Sequence, residues 1–331
     1  MTRRSTVRAL PALGLAVLGW PACVALAQKP GPVPRVGILV LASLPSAALF
    51  IDGFRAHLRE LGYVEGSNIA FDMVSAEGNA ERLPDMAAQL VARKVDVIIA
   101  SGGNFTTLVA RQATATIPIV MSSGFGPVAA GLVQSLARPG GNVTGMAVPQ
   151  EMGFKQLQLL QELVPSLSRV AVLLRHDAAM LADFAHRKAA AQQMMGIALE
   201  LFATHGPEDL GRTLEAARAA RPQAMIVSFD PLMYQQRAQI LRFARAARLP
   251  DMYPWPDIVD EGGLICFTPA VQEMLRGVAR FVDRLLKGAR PADLPVEQPT
   301  TFELVLNLKT ARALGLKVSQ EFLLRADRVI D

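Results

Sequence analysis

The apolar and polar residues of this chain alternate between runs of strand length and segments with helical spacing. Val95–Ala100 is an unbroken apolar run, which suits a parallel strand buried on both faces. The small polar residues Ser101–Asn104 end this run, and a segment with helical spacing follows. The unit then repeats, because Ile117–Met121 is a second apolar run, Ser122–Gly124 ends it, and Val128–Leu136 is again predicted to be helical. This alternation predicts parallel strands joined by crossover helices.

Units of the same kind fill the rest of the chain and form two series. The first series adds predicted strands at Arg35–Leu41 and Ile69–Val74, and Val143–Ala147 is a strand that could leave it. The second series has predicted strands at Val170–Leu174, Ala198–Phe202, Ala224–Ser228, Asp251–Tyr253 and Gly263–Phe267. Its predicted helices lie near residues 155–163, 180–195, 209–219, 234–247 and 274–286. No linker rich in Gly and Ser separates the series, so the sequence predicts an α/β protein of two doubly wound αβα lobes with parallel sheets and short crossings.

The N-terminal segment has the three parts of a secretory signal in order. Three arginines precede an apolar segment, Ala9–Leu26, and Ala25-Leu26-Ala27 places small residues at the two positions that a signal peptidase recognises. We therefore predict a signal peptide, 1–27, that is cleaved before Gln28 and directs the chain to the periplasm.

Two other N-terminal routes stay open, and they bear on the cysteines. Arg3-Arg4 could mark the twin-arginine route, and Cys23 could be lipidated, although Trp20-Pro21-Ala22 before it is a poor lipoprotein motif. If Cys23 is removed with the signal, Cys266 stands alone and no internal disulfide forms. Its apolar neighbours then predict a small buried hydrophobe rather than a catalytic thiol.

Composition and charge exclude several classes of function. The 331 residues are 51% apolar and 19% charged, which is enough for a sizeable core and two domains. The net charge of +5 comes without a basic run or an aromatic–basic pattern, so no nucleic-acid partner is expected. The four histidines are isolated and no Cys–His cluster has ligand spacing, so neither a metal nor a cofactor is expected. His57 and His186 lie within helical patterns and are expected on helix surfaces.

Polar residues collect at the carboxyl ends of the predicted strands in both series. This edge of an open α/β sheet binds ligands, because side-chain hydroxyls and the amides of helix N-termini converge there. The residues are Ser43, Ser101, Gly102, Asn104, Thr106, Ser122 and Ser123 in the first series, and Arg175, His176, Asp177 and Asp230 in the second. Each one alone is more typical of a cap or a turn, whereas together they indicate two facing ligand edges.

The chemistry of this set favours a small ligand that carries a carboxylate. The hydroxyls and the amide of the first series can donate hydrogen bonds to it, and Asp177 and Asp230 can accept from an ammonium or hydroxyl group. Phe125, Trp255 and Phe267 lie beside strand ends and suit a flat or apolar body, although Trp255 and Phe267 could equally belong to the core. We therefore expect an amino acid or an aromatic acid as the ligand.

Several longer strings carry a family resemblance. They are RELGYVEG at 59–66, IPIV at 117–120, SLARPGGNVTG at 135–145, LPVEQPT at 294–300 and FELVLNLKTA at 302–311. The chain resembles, over nearly all of its length after the signal, the ABC-transporter substrate-binding proteins of the tryptophan/tyrosine-type family. This resemblance implies a type I periplasmic-binding-protein fold, in which two lobes joined by three crossings hold a ligand in the cleft between them.

The resemblance also implies a division of the chain. Crossings near Met146–Pro149, Cys266–Pro269 and Gln298–Thr301 would suit the predicted strands. Lobe 1 would then comprise residues 33–147 and 269–297, and lobe 2 would comprise residues 148–268 and 300–331.

Two departures from the family pattern fall near the expected cleft. Gly126-Pro127-Val128 stands where the family commonly has Asp-Pro-Val, and Phe267-Thr268 stands where a Tyr-Gly pair is common. One carboxylate and one phenol hydroxyl would therefore be missing, so the ligand should not be copied from relatives.

These observations together predict a periplasmic solute-binding protein that is a monomer, has no catalytic set and presents its ligand to an ABC permease in the inner membrane. Closure of the two lobes around the ligand would be the signal to the permease. A secreted α/β enzyme and a ligand-sensing domain for a receptor are the alternatives. The sequence shows no nucleophile–base pair for the first and no DNA-binding or signalling segment for the second.

Overall fold

Residues 33–176 and 178–331, which the computed structural model describes, form two mostly parallel β-sheets flanked by helices. The predicted signal peptide, 1–27, and the predicted site residue Asp177 lie outside the described residues. Within the described part no helix is long and apolar enough to cross a membrane. The predicted α/β class with two lobes is confirmed.

Sheet 1 is built from the first series of units. Its strands are β1 (Arg35–Val40), β2 (Ala70–Ser75), β3 (Val97–Ser101), β4 (Ile119–Phe125) and β5 (Val143–Val148), with helices α1 (Leu44–Glu60), α2 (Leu83–Ala92) and α3 (Gly103–Ala113) between the first four. The strand order is β2-β1-β3-β4-β5 and all neighbours are parallel. Ile38 pairs with Ile99 in the centre of the sheet, and both side chains are fully buried.

Sheet 2 follows, in the order β12-β11-β10-β9-β8-β6-β7, and its neighbours are parallel except β10 and β11. Its strands are β6 (Arg169–Arg175), β7 (Ala198–Thr204), β8 (Ala224–Val227), β9 (Asp251–Tyr253), β10 (Ile265–Pro269), β11 (Phe302–Asn307) and β12 (Arg328–Ile330). The helices after β5 are α4 (Met152–Leu163), α5 (Ala178–Met195), α6 (Pro207–Ala219), α7 (Pro231–Gln235), α8 (Arg237–Ala247), α9 (Pro256–Asp260), α10 (Val271–Leu286), α11 (Leu308–Leu314) and α12 (Gln320–Arg325). The predicted helix 234–247 is thus two helices, α7 and α8.

The segment after β4 shows that the helix predicted at 128–136 was wrong. Residues 126–142 form turns and bends, and Ala130 N donates to Gly126 O at 2.9 Å. Gly126 and Gly131 have φ angles of 51° and 65°, which lie in the left-handed region and stop a helix. The apolar residues of this segment therefore pack against the sheet from turns and not from a helix.

Helix α10 covers one face of sheet 1. It packs against α1, β4 and β5, and its Phe281 is buried in the same core cluster as Phe54 of α1. The same contact buries His57, whose ring lies between Glu60 Oε2 at 3.0 Å and Gln272 Oε1 at 3.1 Å. The expectation that His57 lies on a helix surface was wrong, because the covering helix comes from more than 200 residues later in the chain.

The chain passes between the two sheets three times: after β5, between β10 and α10, and just before β11. Ala147 N donates to Glu297 O at 2.9 Å, and Ala270 N donates to Thr301 O at 3.0 Å. The three passes therefore lie side by side and are hydrogen-bonded to one another. We call residues 145–149, 268–273 and 297–301 the crossing region.

Glu273, in the first turn of α10, fastens the third pass. Thr300 donates its N–H and hydroxyl to Oε1 at 2.9 and 3.0 Å, and Thr301 donates its N–H to Oε2 at 2.9 Å and its hydroxyl to the same atom. Burial raises the pKa of Glu273, but these hydrogen bonds outweigh it and lower the pKa to about 2. The ionised carboxylate is therefore the form that holds the crossing region together at neutral pH.

Candidate functional site

The carboxyl edges of the two sheets line one cleft. Its walls are residues 102–105, Phe125 and Gly126 from sheet 1, residues 148–150, 152, 153 and 156 after β5, and Val172, Arg175, Arg187, residues 226–230 and Pro254 from the side of sheet 2. Strand ends β3 and β4 thus share a cleft with strand ends β6 and β8. This is the edge at which the sequence placed the ligand.

The turn between β3 and α3 brings backbone amides to the cleft. Gly102 has a φ of 137°, and a Cβ at this position would lie 2.5 Å from Thr106 Oγ1, so the turn requires glycine. Helix α3 begins without a side-chain cap, and its first amides carry the partial positive charge of the helix end. Thr106 lies beneath this turn, fully buried, and its hydroxyl has no hydrogen-bond partner among the described residues.

Asn104 fastens this turn to the end of β4. Its Nδ2 donates to Phe125 O at 2.6 Å, and its Oδ1 accepts from Phe125 N at 2.9 Å. Both polar groups of the side chain thus bind one peptide unit, which sets the position of the Phe125 ring in the cleft. Only the second N–H of its side-chain amide remains for the predicted role of Asn104 as a hydrogen-bond donor to the ligand.

Arg175 enters the cleft from the end of β6. Its Nε donates to Asp230 Oδ2 at 2.8 Å, and Asp230 Oδ1 accepts from Leu232 N at 2.8 Å, which caps α7. The guanidinium lies 5.6 Å from the centre of the Phe105 ring, which belongs to the opposite wall. Within the described part of the chain Nη1 and Nη2 of Arg175 have no hydrogen-bond partner, so two donor groups of a fixed cation stand in the cleft.

Sequence reasoning noted Arg175 at a strand end but did not place it among the binding residues. Its significance depends on Asp230, which lies 55 residues away and is nearly buried at 3% exposure. No local pattern reveals such a pairing. Ser228, at the end of β8, was also missed; its hydroxyl is buried in the cleft wall and has no partner among the described residues.

Aromatic rings extend across the cleft. The Phe229 ring is 6.2 Å from Phe125 of the other wall and stacks on Trp255 at 5.1 Å. The Trp255 ring lies 5.3 Å from the ring of Tyr234. The Tyr234 hydroxyl donates to Asp257 Oδ2 at 2.5 Å. Burial and then the Asp257 carboxylate raise the pKa of Tyr234 to about 12, so the phenol stays protonated. Phe229, half-exposed and between the two walls, is a further residue that the sequence analysis missed.

The other predicted site residues lie around the cleft rather than in its lining. Ser122 is buried within β4, the carbonyl of Ser43 accepts from Ala47 N, and that of Ser101 accepts from Leu41 N. Phe267 stacks on Phe302 at 5.3 Å. Ser123 lies in β4 and Trp255 lies behind Phe229. The structure thus brings Gly102, Asn104, Phe125 and Asp230 of the predicted set into the lining, and Asp177 lies outside the described residues.

His176, His205 and Cys266 lie outside the lining of this cleft. No group of three or more His, Cys, Asp and Glu side chains in residues 33–176 and 178–331 could hold a metal ion. His176 and His205 stack on each other at 4.2 Å on the exposed end of β6 and β7. Burial raises the pKa of the Cys266 thiol well above its usual value, as expected for a small hydrophobe in β10.

Four similarities to known proteins extend over nearly the whole described chain. A family model described as "ABC transporter substrate binding protein" matches residues 35–330. A tyrosine-binding protein of Clostridioides difficile is 25% identical over 290 residues, which cover 86% of this chain and 81% of that protein. The structure of an ABC domain in complex with L-Trp from Streptococcus pneumonia superimposes with a TM-score of 0.82 at 26% identity, covering 90% of this chain and 99% of that one. A conserved domain protein of Vibrio cholerae shares the fold at 24% identity, with a TM-score of 0.82 and coverages of 90% and 99%.

Proposed function

Because the chain belongs to the family of ABC transporter substrate-binding proteins, we propose that its cleft binds a small carboxylate-bearing solute with an aromatic or apolar body. The protein delivers this solute to an ABC permease of the inner membrane. Its relatives are binding proteins rather than enzymes, and in this proposal the solute leaves the cleft chemically unchanged.

The fixed cation in the cleft is the observation that carries this proposal. Asp230 binds Nε of Arg175 and so holds the guanidinium in the cleft lining, where Nη1 and Nη2 have no partner among the described residues. Two parallel N–H groups match the two oxygens of a carboxylate, and such charge-assisted pairs are the strong ones. The uncapped N-terminus of α3 adds amides of the same polarity from the opposite wall.

The aromatic side chains supply the rest of the site. Phe105, Phe125 and Phe229 line the cleft, and rings of this kind suit a flat or apolar body. The two relatives with known ligands are named for tyrosine and for L-Trp, which are both carboxylates with an aromatic group. An amino acid or an aromatic acid therefore fits both walls.

Closure follows from the distribution of these groups over two lobes. A solute that touches Arg175 from one side and the turn at Gly102 from the other gains its full set of contacts only when the lobes are together. The lobes, with the divisions 33–147 plus 269–297 and 148–268 plus 300–331, would rotate about the crossing region. In this proposal the chain acts as a monomer in the periplasm after removal of residues 1–27.

A panel of small solutes tests the proposed function by thermal shift and calorimetry. Aromatic carboxylates such as 3-phenylpropionate, L-phenylalanine and L-tryptophan should stabilise the purified chain, and phenethylamine and glucose should not. A solute at 100 times its dissociation constant adds about 2.7 kcal/mol to the free energy of unfolding. Stabilisation by sugars or amines alone would contradict the carboxylate site.

A further inference from the structure

We infer that Gln156 is a specificity-determining residue of the cleft, and that its side-chain oxygen accepts a hydrogen bond from a donor at the end of the solute remote from the carboxylate. This inference rests on the proposed function and deepens it, because it names a second recognition group besides Arg175. Three observations carry it: the burial of Gln156 in the lining, the bond that orients its amide, and the order of the strands between the two residues.

The side-chain amide of Gln156 has a fixed orientation. Gln156 belongs to α4, lines the cleft and is 6% exposed. Its Nε2 donates to Phe267 O in β10 at 3.1 Å. A backbone carbonyl can only accept, so this bond determines which end of the amide is the nitrogen and which is the oxygen. Oε1 and the second N–H have no hydrogen-bond partner among the described residues and are left for a solute.

The surroundings of this amide make its free oxygen selective. Met152, Val172 and Ile226 contribute apolar side chains to the lining, and α4 packs Leu157 into the core of sheet 2. A bound solute excludes water from such a wall. A solute with a donor then satisfies Oε1, whereas a solute that covers Oε1 with an apolar group leaves a desolvated acceptor without a partner.

The strand registers place this amide far from the carboxylate anchor. One row of paired residues crosses β6, β8, β9 and β10, and it consists of Val172, Ile226, Met252 and Ile265. Phe267 lies just beyond this row on β10, and Arg175 lies just beyond it on β6. Three strand spacings separate β10 from β6, which amounts to about 14 Å. A solute whose carboxylate binds Arg175 therefore presents its other end toward Gln156.

The other side-chain acceptors of the described lining are less suited to this role. Asn104 Oδ1 and both carboxylate oxygens of Asp230 already accept hydrogen bonds. Gln150 is exposed, and water can satisfy its amide. The Ser228 hydroxyl is buried without a partner, but it can rotate and it lies on β8's end, nearer the carboxylate anchor than β10 is. Gln156 is thus the acceptor that is both oriented and remote from the anchor.

Matched pairs of solutes that differ by one distal donor test the inference in the wild-type chain. The pairs are 3-(4-hydroxyphenyl)propionate and 3-phenylpropionate, L-tyrosine and L-phenylalanine, and indole-3-propionate and 1-methylindole-3-propionate. Calorimetry should give at least about tenfold tighter binding for the donor-bearing member of the pair that fits best. Equal or weaker binding of that member in all the pairs would overturn the inference and leave the proposed function standing. If no member of any pair binds, the proposed function fails and the inference with it.

Gln156→Met, which has a similar length but neither donor nor acceptor, assigns the preference to this residue. It should reduce the preference for the donor-bearing solute to about threefold or less, while the affinity for 3-phenylpropionate changes by less than about threefold. Gln150→Met is the matched control and should keep the wild-type preference. A preference that is kept in folded Gln156→Met, or lost in Ser228→Ala instead, would overturn the inference. Gln156→Leu replaces Gln156→Met if the latter does not fold.

The ammonium group of an amino acid is the other donor that Gln156 could bind, and the same variant distinguishes the two. L-Phenylalanine and 3-phenylpropionate differ by this group alone. Because the ammonium lies beside the carboxylate, Gln156→Met should leave the ratio of their affinities within about threefold of the wild-type value. A loss of affinity confined to the amino acids would place Gln156 at the ammonium and would overturn its assignment to the distal end.

Discussion

The cleft and the crossing region differ in whether their polar groups have hydrogen-bond partners. In the cleft the Nη groups of Arg175 and the hydroxyl of Ser228 have no partners among the described residues, and neither has the Thr106 hydroxyl beneath the β3–α3 turn. In the crossing region the amides and hydroxyls of Thr300 and Thr301 all bind one carboxylate. In the proposed function a solute supplies the partners that these cleft groups lack, whereas Glu273 fastens the crossing region with or without a solute.

Arg175→Gln should weaken solute binding in the cleft and give the largest effect. Loss of a charge-assisted pair should cost about 2–5 kcal/mol of binding free energy, which is about thirtyfold or more in the dissociation constant of an aromatic carboxylate. Calorimetry measures this change directly. Arg218→Gln is the matched control, because Arg218 forms an exposed pair with Glu215 away from the cleft.

Arg175→Lys separates binding from folding in this experiment. Lysine keeps the charge beside Asp230 and so avoids a buried carboxylate without a partner, but it lacks the two parallel donors. We expect a folded protein with roughly tenfold weaker binding. Full affinity in either folded variant would contradict the assignment of Arg175 as the carboxylate anchor.

Asn104→Ala should reduce stability more than binding and so test whether the cleft wall is pre-formed. The substitution leaves Phe125 N and O without partners in a partly buried position and should cost about 1–3 kcal/mol of unfolding free energy in urea titrations. Asn68→Ala is the matched control, since Asn68 makes the same kind of paired bonds to Val64 N and Gly62 O in an exposed turn. A loss no larger than that of the control would mean that the wall does not depend on Asn104.

Glu273→Gln should give the smallest effect, confined to the crossing region. The folded-state pKa of about 2 is below the ordinary value for Glu, so the stabilisation is present above about pH 4.3 and is lost as the pH falls toward 2. We expect the variant to lose about 1 kcal/mol at pH 7, because solvent screens the carboxylate, and only a small part of that at pH 2, where the folded-state carboxylate is half protonated. Glu215→Gln serves as the control, and solute affinity should change little in both variants. A loss that persists in full at pH 2 would contradict the role of the charge.

The sequence predicted those parts of the fold that depend on neighbouring residues. Buried strands such as Val97–Ser101 were visible as apolar runs, and the polar residues after them marked the cleft edge. The helix predicted at 128–136 failed because the spacing of apolar residues says nothing about the positive φ angles at Gly126 and Gly131.

The binding groups depend on long-range pairs, and there the sequence was less informative. Asn104 was identified by its position after a strand, but its bonds to Phe125 could not be foreseen. Arg175 acquires its orientation from Asp230, and Phe229 acquires its place between Phe125 and Trp255, only when separate units meet. Position at a strand end is thus predictable, whereas partner and direction are not.

The origin of α10 has a consequence for the order in which this chain folds. The face of sheet 1 is closed by Leu275, Phe281 and Leu285, although its last strand ends at Val148. Sheet 2 likewise includes β11, which begins only at Phe302. Both sheets are thus completed by segments that begin at Val271 or later, and contacts of such high sequence separation slow folding. A chain of this topology therefore stays incompletely folded for longer during synthesis than one whose domains close in sequence order.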